Sequence, residues 1–254
     1  MIKIGIIGGS GLDDPEILEK AVEIKVETPY GPPTSQLTCG KIEGIDVVII
    51  ARHGKDHSIL PSGVNFRANI WALKEQGCTH IIASTAVGSL REDMKPGHLV
   101  FPDQFIDHTR KRETTFFDED VVVHTPMATP FCSRLIELCS ASAERMQVPY
   151  HKNKTVITIE GPRFSSKAES HMFRSWNADV INMSTVPEVN LAREKKIHYV
   201  SIAMSTDYDC WREGEESVTW EMIMHTMHNN ASNVINVFLD VIPKITDYDD
   251  VCIK

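Results

Sequence analysis

Apolar and polar positions alternate with a period of two in several short stretches of this chain, and helical spacing takes over between them. The alternating runs cover 2–7, 47–50, 80–83, 98–101, 155–159, 180–182 and 199–204, the pattern of strands with a buried face. Helical spacing marks 65–76, 131–146, 166–176, 187–195 and 219–241. In the last, Met222, Ile223, Thr226, Met227, Ala231, Val234, Val237 and Phe238 recur every three or four positions, as on one face of a helix. Strands interleaved with helices predict an α/β fold with a largely parallel or mixed sheet. Two segments read as loops: the turn-rich Pro29-Tyr30-Gly31-Pro32-Pro33-Thr34-Ser35, and the charged stretch 110–125 around Phe116-Phe117. The second reads equally as a cover for a pocket or partner contact and as a surface excursion. No internal repeat, low-complexity tract or linker interrupts the 254 residues, so one domain over 1–254 is expected.

Composition narrows the classes of function. The chain is 42% hydrophobic and 24% charged, enough for an ordinary core. Its formal net charge is −9 and no dense Lys/Arg block occurs, which argues against nucleic-acid and anionic-membrane partners. An anionic small substrate would need a local cluster of donors. The apolar start, Met1 to Gly8, is too short for a membrane span and lacks a cleavage site. Six cysteines (Cys39, Cys78, Cys132, Cys139, Cys210, Cys252) stand without a C-x-x-C pair. That argues against a zinc site and a disulfide scaffold, and for free thiols in a reducing, cytoplasmic setting.

Chemistry gathers where the strand patterns end. The run 199–204 leads into Ser205-Thr206-Asp207-Tyr208-Asp209, which would deliver two carboxylates to the carboxyl edge of a sheet, where α/β folds bind ligands. A carboxyl in a dry pocket can keep its proton and donate it; otherwise the pair is an exposed acidic loop. The first strand ends in Gly8-Gly9-Ser10-Gly11, whose N–H groups and hydroxyl could converge on an anion. A dinucleotide fingerprint fails at Asp14 and no P-loop Gly-Lys-Ser/Thr is present, so a plain tight turn competes with the anion reading. Arg52-His53 follows the second strand, and a guanidinium fork suits phosphate. His53 and His57 have metal-ligand spacing, but Gly54 interrupts the helix this would need. Small hydroxylated turns follow at Ser84-Thr85-Ala86 and Asn182-Met183-Ser184-Thr185, with Glu188 nearby. Phe164 reads either as core or as a platform for a planar ring, and Ser165-Ser166 as caps of the next helix. An anion site, a flat apolar surface and two carboxylates suit a nucleoside cleaved by phosphate. No G-x-S-x-G elbow occurs, and Cys210 beside Asp209 is the wrong setting for a nucleophilic thiolate.

At Gly8-Gly9-Ser10-Gly11, Ala51-Arg52-His53-Gly54, 65–77, 84–91, 158–166, 181–188 and 205–211 the chain resembles the purine nucleoside phosphorylase family, in order along nearly its whole length. Within it the chain is similar to the branch that acts on 5′-methylthioadenosine. The resemblance implies one α/β domain with a mixed, distorted central sheet flanked by helices, a homotrimer, and no metal or organic cofactor, phosphate being a co-substrate. It implies that Ser10, Arg52, His53, Thr85, Ala86 (by its backbone) and Ser184 hold phosphate. Met183 would lie on the ribose, and Phe164, Ser165, Asp207 and Asp209 would surround the base. Asp207 is then the candidate donor of a proton to N7, and its carboxylate suits a 6-amino purine where an amide would suit a 6-oxo one. Asp209 would touch the base or orient Asp207; Glu160 would be a third carboxylate there or an ion-pair partner.

The chain also departs from the family pattern. Ser10 replaces Thr and Val87 replaces Cys, while Trp220 stands in place of a small aliphatic residue ahead of Ile223 and Met224, with Ser165 in the expected 5′-alkylthio pocket. An inward Trp220 predicts a smaller pocket, an outward one only surface packing. The tail after Pro243 is short and acidic at Asp247, Asp249 and Asp250, which leaves pocket closure by a neighbour's tail in question. Rival readings are a phosphorylase for methylthioinosine or ordinary 6-oxopurine nucleosides, a non-catalytic nucleotide-binding module, and a metal-dependent hydrolase.

Overall fold

The alternating runs become strands of one nine-stranded mixed sheet in the computed structural model, which describes residues 2–8, 17–117, 121–214 and 219–246. In chain order the strands are β1 (Lys3–Gly8), β2 (Glu19–Ile24), β3 (Leu37–Ile42), β4 (Ile45–Ala51), β5 (His80–Ser89), β6 (Leu99–His108), β7 (Tyr150–Ile159), β8 (Val180–Asn182) and β9 (His198–Asp207). The helices are α1 (Phe66–Glu75), α2 (Ser133–Arg145), α3 (Lys167–Ser175), α4 (Thr185–Glu194) and α5 (Trp220–Val241). Spatial order is β2-β3-β4-β1-β5-β8-β7-β6-β9, and β9 also pairs with β5. Half of the sheet therefore curls into a closed ring, β5-β8-β7-β6-β9, which is the distortion expected of it.

Strands β1, β4, β5 and β9 pair in parallel, and all ten residues of β9 are buried. Burial on both faces accounts for its near-continuous run of apolar and small residues. Helices α2 and α5 pack on each other and on β9, and α4 covers β7 and β9 with α1 against it. The backbone of α4 turns helical only after Val186, which is extended (φ −97°, ψ 129°), as a residue before proline prefers. That agrees with the predicted start at Pro187. Strands β2 and β3 were not expected. In β2 five of six residues are exposed, so no apolar alternation marks it. The β3–β4 hairpin turns at Glu43-Gly44, both with positive φ (47° and 82°), the conformation of a two-residue I′ turn.

Side chains tie down both predicted loops. Asn65 caps α1 by accepting the Ala68 N–H, and its amide donates to the carbonyls of Tyr30 and Pro32. The described part of 110–125 is anchored rather than a free excursion. Phe116 is buried among Tyr30 and Trp71, and the Arg112 guanidinium donates to the carbonyls of Val186 and Glu160. Among the described residues no helix is long and apolar enough to cross a membrane.

Candidate active site

The ends of β4, β7, β8 and β9, the far half of β5 and the first turn of α5 enclose a cavity of about 510 Å³. It lies at the carboxyl edge of the parallel strands, where ligands of α/β folds are held. Asp207, the last residue of β9, reaches it through an irregularity of the sheet. Val87 of β5 pairs with Ser205 but Gly88 pairs with Asp207, so Thr206 is an extra residue in β9. Such a bulge re-aims the side chains beyond it, and both Thr206 and Asp207 line the cavity.

The carboxyl of Asp207 is held on both oxygens. Thr206 Oγ1 donates to Oδ1 at 2.6 Å and the Asp209 N–H to Oδ2 at 2.8 Å. Burial nevertheless outweighs these bonds and, with the Asp209 charge, raises the pKa from 3.8 to about 6. Asp209 thus orients Asp207 through its backbone, in a left-handed conformation (φ 49°). Its own carboxyl is also raised by burial, against the opposing hydroxyls of Ser170 and Ser165. Those hydroxyls sit beside it without a hydrogen bond of regular geometry. Gly88 makes room for the pair: a Cβ there would lie 3.0 Å from Asp207 Oδ2.

The expected anion subsite lies on another part of the wall. Arg52 is 2% exposed and pairs side-on with the fully buried Glu188, at 2.5 and 3.0 Å, while NH1 donates to the Ser84 carbonyl. Tyr199 donates its hydroxyl to the same Glu188. Among the described residues three of the five guanidinium hydrogens are so engaged, and one remains on each terminal nitrogen. Thr85 Oγ1 and Ser184 Oγ lie 2.8 Å apart. Asn182 holds them in place, donating to Thr85 and Thr185 and accepting from Thr158. His53 lines the same wall with Ala86; burial, then the Arg52 charge, push its pKa down to about 4. Ser10 lies outside the described residues.

Phe164, Ser165 and Met183 line the stretch between these groups. Gly161 has φ 69° and a Cβ on it would come within 2.5 Å of Met183 Sδ, so glycine there lets the thioether lie flat against the chain. Ser166, not Ser165, caps α3, in a capping box with Glu169. Trp220, Ile223 and Met224, at i, i+3 and i+4 of α5, form the apolar end. Trp220 faces the cavity yet is 46% exposed, and its ring packs on His57 with centroids 5.2 Å apart. His57, read above only for metal spacing, therefore puts an imidazole in the wall expected to be wholly apolar. Glu160 is not in the wall: it pairs with Arg112 and accepts the N–H groups of Arg110 and Lys111. Among the described residues no group of three or more His, Cys, Asp or Glu could hold a metal ion.

Sequence reasoning missed Thr206 and Gly88, whose roles arise from the bulge, and Arg112. The only signal for Thr206 was a hydroxyl next to Asp207 in the sequence.

This cavity and sheet place the chain in a known class. A family model for the phosphorylase superfamily matches residues 3–243, and the chain belongs to that family. Among relatives, the S-methyl-5′-thioadenosine phosphorylases of Danio rerio and Xenopus tropicalis are each 55% identical, over 98% of this chain and 90% of theirs. That of Thermofilum pendens is 51% identical over 97% of this chain and 93% of its own. Among solved structures, methylthioadenosine phosphorylase from Schistosoma mansoni in complex with adenine matches with a TM-score of 0.94 at 40% identity, covering 98% of this chain and 94% of that one. A mutant adenosine/methylthioadenosine phosphorylase from the same organism, in complex with methylthioadenosine, matches with a TM-score of 0.92 at 39% identity, covering 98% and 93%.

Proposed function

We propose that this chain catalyses phosphorolysis of S-methyl-5′-thioadenosine to adenine and 5-methylthioribose 1-phosphate, a pentosyl transfer. The observation that carries the reading is the buried carboxyl of Asp207, with a pKa of about 6, in one cavity with Arg52, Thr85 and Ser184. Cleavage through an oxocarbenium-like state puts positive charge on the sugar and negative charge on the departing purine. Phosphate held by Arg52, His53, Thr85, Ser184, the Ala86 N–H and Ser10 would stabilise the first and attack C1′. Asp207, partly protonated at neutral pH, would give a proton to N7 and relieve the second; positioned acids of this kind contribute roughly 10²–10⁴-fold. Phe164 and Met183 would bear on base and ribose, Ser165 and Asp209 would complete the base wall, and Trp220, Ile223 and Met224 would meet the methylthio group.

We further infer a cytoplasmic homotrimer that needs no metal or organic cofactor. Exposed Leu60, Phe164 and Trp220 around the cavity support a covering neighbour. The test is adenine release from methylthioadenosine, with and without phosphate, followed by chromatography. Phosphate-dependent adenine together with methylthioribose 1-phosphate is expected. Adenine without phosphate would mean a nucleosidase, and turnover of 6-oxo nucleosides alone would remove Asp207 from base recognition.

A further inference from the structure

His53 lines the expected anion subsite, and its contacts decide which ring nitrogen carries the proton. Nδ1 lies 2.8 Å from the carbonyl oxygen of Ile59. A carbonyl only accepts, so Nδ1 holds a hydrogen. The Ile59 N–H in turn donates to the His53 carbonyl at 3.0 Å, so the loop grips the ring reciprocally. The ring packs at a tilt against His57, with centroids 4.5 Å apart, and His57 itself packs on Trp220. Nε2, across the ring, makes no hydrogen bond among the described residues. Arg52, His57 and Arg112 each disfavour a second proton by their charge, and Asp56 lines the same cavity. Burial disfavours it more strongly, and the imidazole stays neutral at physiological pH, with its pKa at about 4. The ring therefore offers the cavity a basic lone pair, whereas Arg52 and the Ala86 N–H can only donate and the weakly basic hydroxyls of Thr85 and Ser184 can do either.

We propose that His53 is the acceptor of the phosphate subsite: it receives the O–H that phosphate carries in and takes that proton as the bond to C1′ forms. The proposal rests on the phosphorolysis reading and deepens it. Hydrogen phosphate enters with one proton and its product, a sugar phosphate dianion, leaves with none. Adenine leaves with one proton more than it held as a glycoside. An oxygen lone pair of phosphate forms the C1′–O bond, the C1′–N9 pair passes into the purine, and N7 takes the Asp207 proton. The phosphate proton goes to Nε2 of His53. Afterwards the imidazolium releases its proton to water and Asp207 takes one up, which restores both side chains.

An acceptor at this position discriminates among tetrahedral anions. Phosphate and arsenate bring an O–H; sulfate and fluorophosphate, dianions of similar shape, bring none near pH 7.5. The experiment measures KM for phosphate and the inhibition constants of sulfate and fluorophosphate against it on the wild-type enzyme. Both O–H-free anions should bind about tenfold or more weakly than phosphate, because they leave Nε2 facing an anion with no hydrogen between. Inhibition constants at or below the phosphate KM would show an imidazolium donor, created by the bound dianion, and overturn the proposal.

His53→Asn adds a second readout. Its amide can turn an N–H toward either anion, so the ratio of sulfate inhibition constant to phosphate KM should fall toward about one while kcat drops. A side chain that only supports its loop would weaken both anions alike and leave the ratio unchanged, which would also overturn the assignment. Should the variant not fold, the wild-type comparison decides alone. Absence of any phosphate-dependent turnover would sink the phosphorolysis reading, and this proposal with it.

Discussion

Replacing Asp207 with Asn removes a charge that the fold holds at a cost while keeping its shape and hydrogen bonds. The amide oxygen can accept the Asp209 N–H, and Nδ2 can donate to Thr206 Oγ1, which still reaches the Val87 carbonyl at 3.3 Å. What changes is the linkage to pH. Asp207 has its folded pKa raised from 3.8 to about 6, chiefly by burial, so between those values the folded state binds more protons than the unfolded one. The stability associated with this proton is fully present below the unfolded value and lost as pH rises through about 6. A shift of this size corresponds to roughly 3 kcal/mol in all, of which roughly 2 kcal/mol falls between about pH 4.5 and 7.5.

Urea unfolding of wild type and Asp207→Asn at several pH values, at one protein concentration because oligomer stability depends on it, should therefore give diverging curves. The variant gains relative stability as pH rises. Its activity on methylthioadenosine should meanwhile fall by roughly 10²–10⁴-fold. In the wild type only about a tenth of the carboxyl is protonated one unit above its pKa, so kcat/KM at saturating phosphate should decline about tenfold per unit above about pH 6. That limb should vanish in the variant. Parallel stability curves, or a variant with wild-type turnover of 6-amino nucleosides, would refute the assignment.

Gly88→Ala would set a methyl group 3.0 Å from Asp207 Oδ2 and 3.1 Å from Ile181 Cγ2; overpacking of about 1–3 kcal/mol and a drop in kcat/KM of about tenfold or more are expected, and unaltered kinetics would dissociate Gly88 from the carboxyl. Trp220→Val should raise kcat/KM for larger 5′-alkylthio analogues relative to the methylthio substrate by about tenfold per added methylene, read from a substrate series; an unchanged ranking would leave Trp220 as packing on His57 only. Glu188→Gln strips the buried Arg52 of its counter-charge, so thermal unfolding should show a loss of about 3–5 kcal/mol. Phosphate should then raise the Tm of that variant more than that of the wild type, and equal shifts would place Arg52 away from the anion.

The parts of the fold legible in the sequence are those whose information is local. Val200, Ile202 and Met204 announce β9, and Asp207 at its end announces a ligand edge, because alternation and strand termination lie within one short segment. Caps are equally local, as with Ser166 before α3. Strand β2 was invisible because an exposed edge strand carries Glu19, Lys20 and Glu23 rather than an apolar face. The bulge was invisible for a different reason: it is a register between Val87 and Thr206, 119 positions apart, and neither segment encodes it alone. The Arg52–Glu188 pair spans 136 positions; the sequence marked both residues but not their contact. Glu160 remained open between base contact and ion pair until Arg112, from a segment read as loop, proved to be its partner.

The candidate residues that sequence motifs marked are also residues that break local rules, and all but Glu188, which pairs with Arg52, line one cavity. Arg52 and Glu188 are buried charges, Asp207 is a carboxyl kept from water, and His57 and Asp209 hold left-handed backbones at φ 51° and 49°. Each disfavours folding when taken alone. Elsewhere, β1 and β4 bury Ile4, Ile6, Ile7, Val47, Val48, Ile49 and Ile50 without such conflicts, a regular core that can carry a strained rim. Buried charges gathered at a ligand-facing wall are what selection for a site, rather than for stability, leaves behind. The two ends of that wall are also opposite in chemistry. Around Arg52 the cavity offers donors and one neutral imidazole, suited to an anion that must lose a proton. At Asp207 it offers a carboxyl that retains one, suited to a leaving group that must gain it. A non-catalytic nucleotide-binding module would need the donors but has no use for a carboxyl held near neutrality, so the pairing of the two ends argues for turnover rather than binding alone.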